Sequence, residues 1–142
     1  MRCLGIGGKG DGKHTTLVSD SVKAVIAVMQ KQGIRHLICM SNAGAGGSST
    51  WFANRIAIPL FIRWLLPIIE DKDLMESALL ESTLDWVSVR LPRIVEGPEK
   101  PIQMSQDGRG IGLSITAASA AKFLLTPASA PEFIGTMPSI SN

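Results

Sequence analysis

The 142-residue sequence contains no tyrosine, only two cysteines and only two histidines. The absence of tyrosine excludes every mechanism in which a tyrosine side chain is the acid. No cluster of cysteine, histidine and carboxylate residues has the spacing of metal ligands, so no metal site is predicted. No catalytic triad can be composed around His14 or His36, and both are interpreted as structural residues.

Charge is also scarce, at 18% of residues with a formal net charge of +2. The lysines and arginines are scattered, so neither nucleic acid nor an anionic membrane surface is predicted as a partner. Cys3 and Cys39 lie inside apolar runs, which favours buried thiols in a reducing compartment over a disulfide. Together with the lack of a signal-like N-terminal run, this predicts a cytoplasmic location, and no prediction of oligomeric state is made.

Trp51–Ile69 is the longest apolar segment, and it raises the question of a membrane span. It contains Arg55 and Arg63 and is interrupted by Pro59 and Pro67. Central arginines oppose insertion into a bilayer, so a partly helical flap over a site is predicted instead.

The remaining pattern alternates strands with helices, which is typical of a parallel α/β sheet with right-handed crossovers. Leu37–Met40 is a short apolar run, predicted as a central strand buried on both faces. The other predicted elements, in chain order, are a strand at Met1–Leu4, a helix capped by Thr15 or Thr16 and ended by Gly33, a helix over Ile68–Ser82 with Leu74, Met75, Ala78 and Leu79 inward, a strand at Trp86–Leu91 ended by Pro92, a short strand at Ile111–Ile115, a helix over Ala117–Leu125 capped by Thr116, and a last strand at Phe133–Met137.

Two glycine motifs lie near the start of the chain. Gly5–Gly10 matches the spelling of the dinucleotide fingerprint, and Gly7–Lys13 matches most of a phosphate loop. Only four residues precede the first motif, and His14 stands where the second needs Ser or Thr. Both are therefore interpreted as a glycine loop at a strand end.

The end of the Leu37–Met40 strand is the first candidate for a site. Ser41 and Asn42 follow it directly and lead into small residues up to Gly47. Ligands of open α/β sheets bind at the carboxyl ends of strands, and small residues allow close approach of the backbone. The alternative is that Ser41–Gly47 is only a flexible connection.

Several segments together resemble the atypical short-chain dehydrogenase/reductases, in the NAD(P)H-binding group with NmrA-like proteins and flavin/biliverdin reductases. They are Cys3–Gly5, Gly33–Asn42, Asp71–Asp73 with Glu76, and Ser82–Pro92. The resemblance implies a Rossmann-like parallel sheet with helices on both faces. It covers only the C-terminal half of that domain, without its N-terminal strands and Gly-rich pyrophosphate loop. The chain, 1–142, is thus expected to be a single partial NAD(P)-binding domain.

The resemblance also implies site residues. Leu4 and Gly5 match the strand end on the adenosine side of NADP or NAD, and Ser41, with Asn42, matches the strand end facing the nicotinamide. Lys72 matches the lysine that binds the nicotinamide ribose. The segment lining the nicotinamide corresponds to Pro92, Arg93 and Ile94, with Arg93 and Ser41 as catalytic candidates. The family's tyrosine is replaced by Ile68.

The activity that the resemblance implies is hydride transfer from NAD(P)H to a small-molecule substrate, a flavin-like or other conjugated acceptor. A non-catalytic NAD(P)-sensing regulator and an inactive truncated product are the alternatives. Lys72 could instead pair with Asp73 or Glu76 on its helix, and Arg93 could form a surface salt bridge. Because the pyrophosphate loop has no counterpart, the chain alone is expected to bind NAD(P)H weakly or not at all.

Overall fold

The computed structural model describes residues 13–42, 66–125 and 130–142. The predicted strand Met1–Leu4 and the predicted flap up to residue 65 lie outside the described residues. The helices are α1 (Leu17–Lys31), α2 (Leu66–Glu81) and α3 (Ala117–Leu125), with a 3-10 turn at Pro131–Phe133. The strands are β1 (His36–Asn42), β2 (Asp85–Leu91), β3 (Arg93–Val95), β4 (Gln103–Ser105), β5 (Ser114–Thr116) and β6 (Ser139–Ser141).

The main sheet has the strand order β1-β2-β6-β4. β1 and β2 are parallel and pair along their full length, from His36 opposite Asp85 to Asn42 opposite Leu91. β6 continues parallel to β2, and β4 adds an antiparallel edge. β3 and β5 form a separate parallel pair after Pro92, which has no N–H to donate to the main sheet. The predicted parallel α/β pattern is confirmed.

Helices cover both faces of the sheet, as predicted. α1 and α2 pack on one face, where their apolar side chains meet Cys39 of β1 and Trp86 of β2. α3 packs on the other face, against the alternate β2 side chains Val87, Val89 and Leu91. β2 contributes to both cores because successive side chains of a strand point to opposite faces.

The boundaries of α1 and α3 agree with the sequence predictions. α1 ends just before Gly33, whose φ of +68° lies in the left-handed region that glycine adopts without strain. At the start of α3, the hydroxyl of Thr116 accepts a hydrogen bond from the N–H of Ser119 at 3.4 Å. This is the predicted N-terminal cap.

The inward face of α2 differs from its prediction. The helix begins at Leu66, and Met75 and Leu79 are buried, but Leu74 is 44% exposed. The buried face instead includes the carboxylates of Asp71 and Glu76. Apolar spacing could not predict this face, because half of it is polar.

The last strand was predicted at Phe133–Met137, and this is wrong. That region contains the end of the 3-10 turn, and the assigned strand begins later, at Ser139. The chain does follow β2 before β6: Gly135 N–H donates to the Trp86 carbonyl at 2.7 Å, and Ser88 N–H donates to the Thr136 carbonyl at 3.1 Å. Pro138 breaks the regular ladder because it lacks an N–H.

Two further strand predictions need correction. β1 is not buried on both faces, since Met40 remains 45% exposed, whereas β2 is buried from Trp86 to Leu91. β2 is the better shielded strand because it lies between β1 and β6. The predicted strand Ile111–Ile115 is shifted to Ser114–Thr116, and β4 was not predicted. In the described parts of the chain, no helix is both long and apolar enough to cross a membrane.

Candidate functional site

Strands β1 and β2 end together, and this places the predicted site residues along one edge of the sheet. Ser41 pairs with Arg90 and Asn42 pairs with Leu91, so Pro92 follows at the edge where Asn42 ends β1. The predicted convergence of Ser41 and Pro92 is therefore confirmed. Leu4 and Gly5 lie outside the described residues.

Helix α2 brings Lys72 to this edge. The Lys72 ammonium donates a hydrogen bond to the carbonyl oxygen of Met40 at 2.8 Å, next to Ser41 in the chain. Burial lowers the pKa of the Lys72 amine from its ordinary value, because desolvation disfavours the charged form. An ammonium has three N–H donors, so this one bond leaves donors for a ligand.

The alternative pairing of Lys72 with Glu76 is not what the structure shows. The Glu76 carboxylate is engaged by Arg90 of β2, with an Nη2–Oε2 distance of 2.7 Å and an Nε–Oε1 distance of 3.0 Å. Lys72 instead reaches the end of β1. The lysine thus lies at the sheet edge rather than in a helix-surface ion pair with Glu76.

Ser41 presents an unpaired hydroxyl at the edge. Its residue is 3% exposed, and its Oγ has no hydrogen-bond partner within the described structure. A buried hydroxyl without a partner is unfavourable by roughly 1–3 kcal/mol, so such a group marks a place where a polar ligand atom or a water fits.

Arg93 and Ile94 follow on β3, and both are exposed, whereas Pro92 is half-buried. None of the ion pairs between described residues includes Arg93, so the predicted alternative of a surface salt bridge is not observed there. The guanidinium is available to an anionic ligand that approaches β3 from solvent.

Ile68 is one helical turn before Lys72 on α2, at the position where the resemblance implies a tyrosine. It is half-buried and carries no ionisable group. This site therefore has no phenol beside its lysine, and a proton required by a reaction here must come from another donor. Over the described residues, no group of three or more potential metal-ligating side chains is found.

Sequence reasoning missed the buried polar residues beneath this edge. Asp71 is 1% exposed, and its carboxylate accepts hydrogen bonds from two backbone N–H groups of the first turn of α1, Val18 at 2.8 Å and Ser19 at 2.9 Å. An anion at a helix N-terminus is stabilised by unpaired N–H groups and the helix dipole. Asp71 thereby joins the start of α1 to α2, immediately before Lys72.

A row of polar side chains crosses the sheet at the same level. Ser41, Arg90, Ser139 and Ser105 are partners in consecutive register across β1, β2, β6 and β4. Ser139, like Ser41, is buried with no partner for its Oγ among the described residues. The sequence signal for this row is weak. It consists of polar residues that alternate with apolar ones along a buried strand, as Arg90 does in β2.

A family model of NAD(P)H-binding domains matches residues 3–131, which is most of the chain. The chain belongs to this NAD(P)H-binding family. The cofactor predicted from the resemblance, NADP or NAD, is that of the family, and the resemblance to the atypical short-chain dehydrogenase/reductases is confirmed. A search of curated proteins found no match.

Several solved structures share the fold of this chain. An NAD-dependent epimerase/dehydratase-type protein from Bacillus halodurans has a TM-score of 0.72 at 21% identity, over 97% of this chain and 60% of its own. A wide-type short-chain dehydrogenase/reductase from Veillonella parvula, solved with NADP, has a TM-score of 0.73 at 16% identity, over 91% of this chain and 60% of its own.

A third similar structure is ChuY, an anaerobilin reductase from Escherichia coli O157:H7, with a TM-score of 0.71 at 24% identity, over 96% of this chain and 60% of its own. These likenesses confirm the Rossmann-like α/β fold. The chain spans about three fifths of the length of each of the three structures.

The residues at the sheet edge fit the nicotinamide half of the family's cofactor. Its ribose hydroxyls can accept from the Lys72 ammonium, and its carboxamide can pair with the unpartnered Ser41 hydroxyl. The glycine loop at Gly5–Gly10, interpreted from the sequence as a loop at a strand end and not as a phosphate motif, lies outside the described residues.

Proposed function

We propose that this chain carries the nicotinamide-side half of an NAD(P)H-dependent reductase site that transfers hydride to a flavin-like or other conjugated acceptor. The observation that carries the proposal is the meeting of Ser41, Lys72 and Pro92 at one sheet edge in a member of an NAD(P)H-binding family. When bound, NAD(P)H supplies the hydride, and the protein's part is to position and shield the reacting groups.

Each residue has a role that follows from its position. The Lys72 ammonium, which is hydrogen-bonded to the Met40 carbonyl, orients the nicotinamide ribose. Its positive charge also favours the electron-rich cofactor NAD(P)H. Ser41 donates a hydrogen bond beside the nicotinamide, and Asn42 and Ile94 line the same edge. Pro92 holds the chain rigid where it leaves the sheet.

Arg93 acts on the acceptor. Its exposed guanidinium, with no ion pair to a described residue, is placed to hold an anionic group of the acceptor in a bidentate manner. A conjugated acceptor suits this site because Ile68 supplies no acid. Once the acceptor has taken the hydride, its conjugated system spreads the negative charge, and the reduced anion can take its proton from water. ChuY, a fold relative, is an anaerobilin reductase, which supports a reductase function for this chain.

A non-catalytic sensor of NAD(P) is the second candidate, and the absence of the family's tyrosine is the observation that favours it. Both candidates require the cofactor to bind at the Ser41–Lys72 edge. They differ in whether an acceptor is reduced, so one pair of measurements separates them.

The first measurement is binding. Nicotinamide mononucleotide, which lacks the adenosine half, is titrated against the labelled chain, and NMR shifts are expected at the backbone amides of residues 40–42 and at Lys72. Ser41→Ala and Lys72→Gln should weaken this binding by about tenfold each, the factor for one lost hydrogen bond of about 1.4 kcal/mol. Ser77→Ala and Lys23→Gln, at exposed positions on α2 and α1, are the matched controls.

The second measurement is turnover. NADPH and NADH oxidation is followed by absorbance with flavin mononucleotide as acceptor, and Arg93→Gln is compared with Arg109→Gln, another exposed arginine. A selective loss with Arg93→Gln supports the reductase. Binding without turnover supports the sensor. Shifts that are confined to residues away from the sheet edge contradict both.

A further inference from the structure

We infer that Glu76 and Arg90 are positioning residues that hold Lys72 at the end of β1. The inference rests on the proposed function, since it concerns how the Lys72 ammonium is presented to a ligand. Neither Glu76 nor Arg90 is needed to touch that ligand, because both are buried between α2 and the sheet.

The geometry of the pair fixes α2 against β2. Nε of Arg90 donates to Oε1 of Glu76 at 3.0 Å and Nη2 donates to Oε2 at 2.7 Å, which is a two-point contact between planar groups. The Ser88 hydroxyl adds a third hydrogen bond to Oε1 at 3.3 Å. A carboxylate held at three points cannot slide along the strand or rotate about it without losing bonds.

The position of the pair along both elements links it to the site. Lys72 precedes Glu76 by four residues, so the two side chains lie one turn apart on one side of α2. Arg90 is the register partner of Ser41. Fixing Glu76 on Arg90 therefore sets how far α2 extends toward the end of β1, where Lys72 donates to the Met40 carbonyl at 2.8 Å.

A second anchor prevents α2 from tilting about the first. Asp71, adjacent to Lys72, binds Val18 and Ser19 N–H groups of α1 through separate oxygens at 2.8 and 2.9 Å. Lys72 is thus held between a contact to α1 on one side and a contact to β2 on the other. A buried ion pair adds little stability compared with apolar packing, and in this inference the role of Glu76 and Arg90 is to specify one arrangement of α2 and β2.

The test uses variants that keep both charges and change only the geometry. Glu76→Asp shortens the carboxylate arm, and Arg90→Lys replaces the planar fork with a single point charge. Glu70→Asp, at an exposed position of the same helix, is the matched control. Because net charge is unchanged, any effect on Lys72 reports its position rather than a simple electrostatic change.

The readout is the exchange of the Lys72 ammonium protons with water, followed by ¹⁵N NMR in slightly acidic solution. Lys72→Gln assigns the signal, and the exposed Lys23 is the internal reference. In the unmodified chain, Lys72 should exchange more slowly than Lys23. Glu76→Asp and Arg90→Lys should raise its rate by about tenfold, and Glu70→Asp should not change it.

Spectra are recorded well below each variant's unfolding midpoint, so a loss of stability alone does not alter the result. If neither variant folds, Ser88→Ala removes one hydrogen bond from Glu76 with both charges in place, and a smaller rise in the same direction is expected. Exchange at Lys72 that stays slow in every folded variant would overturn the positioning role.

Titration with nicotinamide mononucleotide separates this inference from the proposed function. Faster exchange together with weaker binding supports both. Faster exchange with unchanged binding keeps the positioning role and rejects the cofactor role of Lys72. Unchanged exchange with binding that is still lost in Lys72→Gln keeps the cofactor role and rejects the positioning by Glu76 and Arg90.

Discussion

At the scale of single residues, the chain places its buried polar groups where two elements must be joined. Asp71 satisfies two N–H groups at the start of α1, which the N-cap residue Thr16 leaves without a side-chain partner. A helix leaves its first four N–H groups unpaired, and a carboxylate from a neighbouring helix is an effective substitute for a local cap. This long-range cap has no signature in the sequence near α1.

Asp71→Asn is expected to lower the free energy of unfolding by about 2 kcal/mol, because it removes a charged acceptor from two buried donors. Asp20→Asn is the control: it changes an acid in the first turn of the same helix, but at an exposed position. Its effect should stay below about 1 kcal/mol. Urea denaturation of both variants measures the difference, and equal effects would show that only the helix dipole matters.

Cys39 is expected to be an unreactive thiol. Burial raises its pKa to about 11, so at pH 8 the folded protein holds almost no thiolate. Iodoacetamide should label Cys39 slowly in the native chain and rapidly in urea, as read from its peptide by mass spectrometry. Since the folded state retains this proton above the ordinary thiol pKa, its contribution to stability is present below that value and is lost as the pH rises through about 11. Rapid native labelling would contradict this assignment.

At the scale of elements, local signals predicted the helices better than the strands. The apolar spacing of α1 and the Thr116 cap of α3 are properties of a few neighbouring residues, and both predictions held. β4 and β6 are only three residues each, and they exist because β6 pairs with both β2 and β4. Strand formation of that kind depends on distant partners, which periodicity in one sequence does not reveal.

The candidate site was predictable only in part: its strand-end residues could be found from local sequence, and the residues that support them could not. Ser41 and Pro92 directly follow apolar runs, so parallel pairing alone places them together. The supporting groups were not predictable: the sequence suggested Glu76 as a helix partner of Lys72, whereas the fold brings it within 2.7 Å of Arg90. The prediction that Leu74 faces inward was wrong because it used apolar spacing alone. The buried face of α2 includes two acidic residues instead, Asp71 and Glu76.

Ser119 links α3 to the irregular segment between β3 and β4. Its hydroxyl accepts from the N–H of Lys100 at 2.9 Å and donates to the Lys100 carbonyl at 3.0 Å, and the residue is fully buried. Ser119→Ala is expected to cost about 2 kcal/mol and to speed hydrogen exchange at Lys100. Ser21→Ala, whose exposed hydroxyl only bonds back to its own helix, should cost far less. An unchanged exchange rate at Lys100 would rule out the link.

At the scale of the whole molecule, β2 is the element shared by both cores. Trp86 belongs to the core with α1 and α2, whereas Val87 and Val89 belong to the core with α3. A strand packed on both faces couples the two cores, because neither can open without exposing it. The described elements are therefore expected to unfold as one cooperative unit.

Val87→Ala tests this coupling, since Val87 is fully buried on the α3 side. It should lower the free energy of unfolding by about 2 kcal/mol and shift two probes together. The probes are far-UV circular dichroism and the fluorescence of Trp86, in a background with Trp51 and Trp64 changed to Phe. Leu113→Ala, at a residue that is 91% exposed, is the control. Separate midpoints for the two probes would show that the cores unfold independently.

The position of β6 has a consequence for how the protein is made. The strand at Ser139–Ser141 lies between β2 and β4, although both of these are synthesised earlier. While the ribosome has not yet released residues 139–141, β4 has no partner in the main sheet and one edge of β2 stays open. An open edge can pair with another chain. Chains that end shortly before residue 139 are therefore expected to aggregate more readily than the full chain, because the edge of β2 that β6 covers remains open in them.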